Sequence, residues 1–218
     1  MDASFGRGAY TTFLLLKFPS VRSSQGMDSA SLREEALFTL KIILLGTKPP
    51  VWRRIQVLDS INLGDLHYVV QCVMGWDDCH LHQYHSGKKR YGVPCPDEDY
   101  YPVHDESQFV LADVLKRKGA KLRYEYDYGD DWQHEIVLES RVAATSEHTH
   151  PVCLDGARNC PPEDVGGVWG YAELLESVSD PRHPSRRRFE EWLDEVYDPD
   201  RFELDEINKV LKRMKYSS

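Results

Sequence analysis

All nine histidines of this 218-residue chain lie at or after His67, and three of them fall in strand-like alternation. His80 and His82 flank Leu81 and share a face with Tyr84, while His134 shares a face with Trp132 and Ile136. An imidazole aimed into a partly apolar interior needs a partner or a neutral tautomer. Two chemistries fit such a pattern: a metal or acid–base site, or a hydrogen-bonded network around Trp and Tyr. Asp127, Asp130 and Asp131 surround the turn before Trp132. Carboxylates beside an imidazole suit a divalent ion, which takes oxygen and nitrogen ligands. The plainer expectation is turn chemistry, with Asp130 closing the turn through its side chain and Asp127 pairing with Arg53 or Arg54.

The run from Cys153 to Gly167 is the densest irregular stretch. Cys153 and Cys160, with His148 and His150 nearby, could supply four nitrogen and sulfur ligands to zinc, although the spacing is not C-x-x-C. Pro161-Pro162 is expected to start a helical turn with Glu163 and Asp164 at its positive end. Gly166-Gly167 permit close backbone approach. The candidate functional cluster is therefore His80, His82, Asp127, Asp130, Trp132, His134, Glu163 and Asp164. The candidate metal ligands are His82, His134, Asp130, Cys153 and Cys160. The sequence holds no glycine-rich phosphate loop, no G-x-S-x-G and no H-E-x-x-H.

The elements that must position these residues follow from periodicity. Leu37–Leu45 reads as a buried strand and Val51–Leu58 as its hairpin partner, with Arg53 on the inward face. Asn62 is placed to cap a helix over Leu63–Met74 that stops at Gly75. His80–Tyr84 and Lys88–Gly92 read as a second hairpin, and Pro94–Pro102 as an acidic loop. Leu111–Lys118 reads as a short helix ended by Gly119. Lys121–Tyr128 and Trp132–Val142 form a third hairpin around Gly129-Asp130-Asp131. After Ala143 the pattern is a polar stretch, then Cys153–Gly170 as loop. Three helices follow over Ala172–Val178, Ser185–Tyr197 and Asp205–Lys215, the last capped by Asp205. Strands followed by helices, without βαβ alternation, predict an α+β fold with a mostly antiparallel sheet and a helical C-terminal part.

Composition narrows the function classes. Lys+Arg number 27 against 36 Asp+Glu. Residues 1–36 balance to zero; residues 37–142 carry 13 basic and 16 acidic side chains, and residues 143–218 carry 10 and 16. That distribution argues against a nucleic-acid coat or an anionic-membrane binder. The basic run Arg186–Arg188 is followed at once by Glu190 and Glu191 and reads as a solvated helix face. Residues 1–36 read as a flexible extension, with Met27 as an alternative start, and residues 37–216 as one domain. Five cysteines at irregular spacing point to a reducing, cytoplasmic setting rather than a disulfide framework.

A series of motifs resembles the plasmid-Ri open-reading-frame-three-like family, some of whose members are labelled TnpR resolvase or insertion-element passenger protein. The motifs are Pro50-Val-Trp-Arg-Arg-Ile55, Leu63-Gly-Asp-Leu-His67, Met74-Gly-Trp76, His80-Leu-His82, Tyr124-Glu-Tyr-Asp-Tyr-Gly-Asp-Asp-Trp132, Cys160-Pro-Pro-Glu-Asp-Val-Gly-Gly167 and Asp198-Pro-Asp-Arg-Phe202. The resemblance covers about residues 37–214 and implies an α+β domain without an established mechanism. Val165 stands where many relatives carry cysteine, so this loop does not read as an obligatory thiolate site. A recombinase needs a nucleophile among arginines and a basic DNA-binding element, which neither half supplies. The leading expectation is a non-enzymatic binding or interaction domain with a protein partner or small ligand. The alternatives are a metal-dependent hydrolase or nuclease using the His/Asp/Glu cluster, and a nucleic-acid-associated mobile-element passenger. A divalent metal is the one cofactor this cluster suggests.

Overall fold

The computed structural model describes residues 34–94, 102–193 and 196–216. The expectations for the N-terminal extension and for most of the 94–102 loop lie outside these residues. Alternation of apolar and polar side chains builds the first hairpin, β1 (Ala36–Leu44) and β2 (Val51–Leu58), in which every second residue of β2 is buried. Helix α1 (Leu63–Met74) begins where the Asn62 side chain accepts from the Asp65 amide, and ends at Gly75 in the left-handed conformation.

Strands β3 (His82–Ser86) and β4 (Lys89–Gly92) form the second hairpin, and the two-residue β5 (His104–Asp105) adds in parallel to β4. The four-residue α2 (Leu111–Val114) precedes the third hairpin, β6 (Lys121–Tyr126) and β7 (Trp132–Ala143). Strand β8 (Val152–Ala157) and helices α3 (Gly167–Ser179), α4 (Arg186–Leu193) and α5 (Leu204–Leu211) complete the described chain. The eight strands run in the order β5-β4-β3-β6-β7-β1-β2-β8, antiparallel except for β4 and β5. The fold is α+β, as its periodicities predict.

Four expectations are corrected. The segment after His150 contains β8, because Ile55 and Gln56 of β2 pair with Cys153 and Val152; a register shift there breaks the alternation that would reveal it. Pro161-Pro162 start no helix, and α3 begins at Gly167. The residue at the start of α5 is Glu203 rather than Asp205, without a side-chain cap. Strand β6 ends at Tyr126, since Asp127 turns left-handed at φ 55° and leaves Tyr128 half exposed.

Two cross-strand rows on the helix-covered face carry aromatic and imidazole groups through the sheet. Tyr84, Tyr124, His134 and Leu44 form one row, and His82, Tyr126 and Trp132 the next. Tyr84, Tyr124, Tyr126, Trp132 and His134 are fully buried. Arg53 is buried too, and it joins three elements: its Nε donates to the Val73 carbonyl of α1 at 2.7 Å and its Nη1 to the Ala157 carbonyl of β8 at 3.0 Å. Helix α5 is tied to the sheet by Asn208, whose amide accepts from Cys153 N and donates to Cys153 O, both at 2.8 Å.

Candidate functional site

Three loops meet at one end of the aromatic rows: the segment from Gly75 to Leu81, the β6–β7 turn, and the stretch from Pro161 to Gly167. Asp127 N donates to Leu81 O at 2.9 Å, which fixes the turn against the first loop. Asp127 Oδ1 accepts from the amides of Gly129 at 2.9 Å and Asp130 at 3.3 Å, so this side chain closes the turn. Asp130 instead accepts from Gly166 N at 3.0 Å, joining the turn to the third loop. Gly167 is obligatory there, because a Cβ would lie 2.5 Å from the Asp130 carbonyl oxygen. Asp127 thus takes the turn-closing role expected of Asp130, and it faces a histidine rather than an arginine.

That histidine is His80. Its Nε2 lies 3.6 Å from Asp127 Oδ2, 3.8 Å from Glu163 Oε2 and 3.3 Å from Asp164 Oδ1. It has no hydrogen-bond partner among the described residues, and neither has the buried Glu163 Oε2. Donor atoms of His80, Asp127 and Asp164 all lie within 4.8 Å of one another. Ligands at about 2.1 Å from one ion stand about 3.0–3.4 Å apart, so this spacing resembles a coordination shell more than a set of hydrogen bonds. Glu163 is held from behind: its Oε1 accepts from Asp77 N and from the Tyr126 hydroxyl, both at 3.0 Å. Burial pushes the Glu163 carboxyl above the usual range, against the opposing pull of those two donors. Asp164 sits on the solvent side, 72% exposed, with φ 56°.

Beneath this cluster lies a second group of histidines, in a different state. The rings of His67 and His82 stack with centroids 3.5 Å apart and planes 5° apart. His67 Nε2 is 2.8 Å from Asp78 Oδ1, and His82 Nε2 is 2.8 Å from Glu106 Oε2. Tyr124 OH accepts from Gln71 Nε2 at 2.9 Å, so it donates its own proton to His67 Nδ1 at 2.8 Å. His67 is then neutral, with its proton on Nε2. Burial accordingly lowers its pKa, against the pull of Asp78. His134 is fully buried. Its Nδ1 faces the carbonyls of Trp132 at 3.1 Å and Tyr124 at 3.3 Å and must carry the proton. Burial drives its pKa down to about 4.

The model of the plasmid pRiA4b ORF-3-like protein family matches residues 36–206. The chain belongs to that family. A family relative, the uncharacterized protein y4hQ of Sinorhizobium fredii, is 35% identical over 174 residues, covering 79% of this chain and 89% of that protein. The crystal structure of MM3350 from Methanosarcina mazei, a protein of unknown function, superimposes with a TM-score of 0.71 at 34% identity, covering 80% of this chain and 98% of that one. All three loops of the site fall inside the family match.

Of the residues that sequence reasoning singles out, the fold brings together His80, Asp127, Glu163 and Asp164, with Asp130 one hydrogen bond away. It places His82 on Glu106, and buries Trp132 and His134 in the aromatic rows. Cys153 and Cys160 are free, buried thiols. Burial raises them to about 11 and about 12, so they are protonated and poor ligands as they stand. Among the described residues, only His80, Asp127 and Asp164 form a group of three or more close His, Cys, Asp or Glu donor atoms. Sequence reasoning misses Asp78, Glu106 and Tyr126 as partners, and the role of His67. A signal for His67 exists: with Leu63 and Gln71 it repeats every fourth residue on the buried face of α1, where polar side chains need a reason to be.

Among the described residues, no helix is long and apolar enough to cross a membrane. The basic run of α4 is neutralised within the fold, since Arg186, Arg187 and Arg188 pair with Glu190, Glu191 and Glu173.

Proposed function

We propose that this protein is a divalent-cation-binding domain in which His80, Asp127, Glu163 and Asp164 hold the ion. The observation that carries this reading is His80 itself. Elsewhere in the same molecule, His67 and His82 approach their carboxylates to 2.8 Å. His80 stands 3.3–3.8 Å from three carboxylates and bonds to none of them. A cation between these groups satisfies all four and offsets their negative charge. One nitrogen and up to three oxygens favour Mn²⁺, Fe²⁺ or Zn²⁺ over Ca²⁺, which prefers an all-oxygen shell. Calorimetric titration with Mn²⁺ and Zn²⁺ is expected to show one site, and His80→Ala is expected to abolish it. Unchanged binding in that variant would sink the assignment.

A second reading, metal-dependent hydrolysis, draws support from Glu163. Its free Oε2 and raised pKa suit a base acting on metal-bound water. Turnover of a phosphodiester or ester that disappears in Glu163→Gln while the cation is retained would favour this reading over simple binding. Among the described residues, the free thiols at Cys72, Cys79, Cys153 and Cys160 support a reducing, cytoplasmic setting. The single continuous sheet supports the view that residues 37–216 fold as one unit.

A further inference from the structure

We propose that Asp78, gripped by His67 of α1, is a positioning residue for the cation site, so that the helix sets the angle at which His80 meets the three carboxylates. This inference rests on the cation-binding reading above. After Gly75 ends α1, the chain has only a few residues in which to deliver His80. Each of the four preceding residues is anchored. Trp76 Nε1 donates to Pro161 O at 3.0 Å, and Asp77 N donates to Glu163 Oε1 at 3.0 Å. Cys79 N donates to Tyr126 OH at 3.0 Å. These three anchors reach to the loop that carries Glu163 and Asp164, or to the tyrosine that binds Glu163. They set the distance between the loops.

Asp78 is held differently. Its amide donates to Gln71 Oε1 at 3.1 Å, and its carboxylate receives the His67 Nε2 proton at 2.8 Å. Both partners belong to α1. Its backbone is left-handed, φ 55°, a conformation that Asp and Asn tolerate better than other side chains. The change of direction two residues before His80 is therefore made at Asp78 and locked from the helix. His67 is locked in turn by Tyr124 and by the stacked ring of His82. Asp78 does not join the donor group around His80. Its contribution is orientation, in the way outer-shell partners orient metal ligands.

The test is Mn²⁺ titration of the full chain by calorimetry, with Asp78→Asn beside Asp78→Gly. Asparagine keeps the tolerance for positive φ and the oxygen that accepts from His67, but removes the charge. Glycine keeps the backbone freedom and removes the acceptor. Asp78→Asn is expected to bind within about threefold of wild type, and Asp78→Gly about 10- to 100-fold more weakly. Equal weakening in both would show that the carboxylate acts through its charge, and wild-type affinity in Asp78→Gly would show that the grip is irrelevant; either overturns the inference and leaves the cation reading standing. Wild-type protein that takes up neither Mn²⁺ nor Zn²⁺ overturns both together. Should Asp78→Gly fail to fold, His67→Phe, which keeps a ring on His82 and loses the donor, replaces it with the same outcomes.

Discussion

His67, His82 and His80 all neighbour Tyr126, yet the two groups of histidines are built on opposite terms. In the lower group each Nε2 meets one carboxylate at 2.8 Å, Tyr124 occupies the other ring nitrogen of His67 and is itself held by Gln71, and His67 and Glu106 are buried. In the upper group one imidazole faces three carboxylates at 3.3–3.8 Å and is bonded to none. A closed network stabilises the fold because removing any member strands a buried polar group. An open one holds charge apart and leaves room for something else. Identical residue types thus form a closed network in one place and, in the reading proposed above, a binding site in the other, and the deciding quantity is the distance between donor atoms.

Substitutions in the two groups test this contrast. The largest effect is expected from His67→Ala, which leaves Tyr124 and Asp78 without their partner and opens a cavity; it should cost about 3–4 kcal/mol in urea unfolding. His80→Ala should cost under about 1 kcal/mol in the same measurement. Equal losses would erase the distinction. Gly167→Ala comes next. Its Cβ would overlap the Asp130 carbonyl, and a cost of about 2 kcal/mol together with weakened Mn²⁺ binding is expected, because the third loop can no longer seat against the turn.

His134 supplies a pH test of the buried rows. Its pKa in the fold, about 4, lies below the 6.5 of a free imidazole, so the unfolded chain binds the extra proton first. Stability from this group is complete above about pH 6.5 and is lost as pH falls toward 4, by about 2 kcal/mol between pH 7 and pH 5. His134→Leu should show a flatter dependence by that amount; an unchanged slope would mean the imidazole is not held neutral. The smallest effect belongs to Asp164→Asn. At 72% exposure it should leave the unfolding free energy within about 0.5 kcal/mol of wild type while still weakening Mn²⁺ binding measurably.

The fold was legible wherever a period survived. The hairpins β1–β2 and β6–β7 and helix α1 follow directly from alternation and capping, down to Asn62 and Gly75. Strand β8 was not, because a shift in its pairing with β2 interrupts alternation where Cys153 and Asp155 sit. At the site, strand parity correctly put His82 and His134 toward one side of the sheet, while His80 lies in the loop just before β3. Parity could not separate His80 from the others, since that depends on Asp127 reversing the chain at positive φ and on the distant loop that brings Asp164. The closing of the turn by Asp127 instead of Asp130 is the same lesson: residue type names the chemistry of a turn, and only the fold says which carboxylate is spent on it.

The grip of Asn208 on Cys153 has a consequence for how molecules of this protein meet one another. Strand β8 is the last in the sheet, and a row of open backbone groups at a sheet edge is a template for association with another chain. The side-chain amide of α5 occupies one donor and one acceptor of that row, while the opposite border, β5, is only two residues long. Both borders are thereby blunted. A chain ending before Leu204 would leave β8 uncovered, and its elution as oligomers from a sizing column, against the monodisperse 218-residue chain, would expose the role of α5 in keeping the protein apart from its own copies.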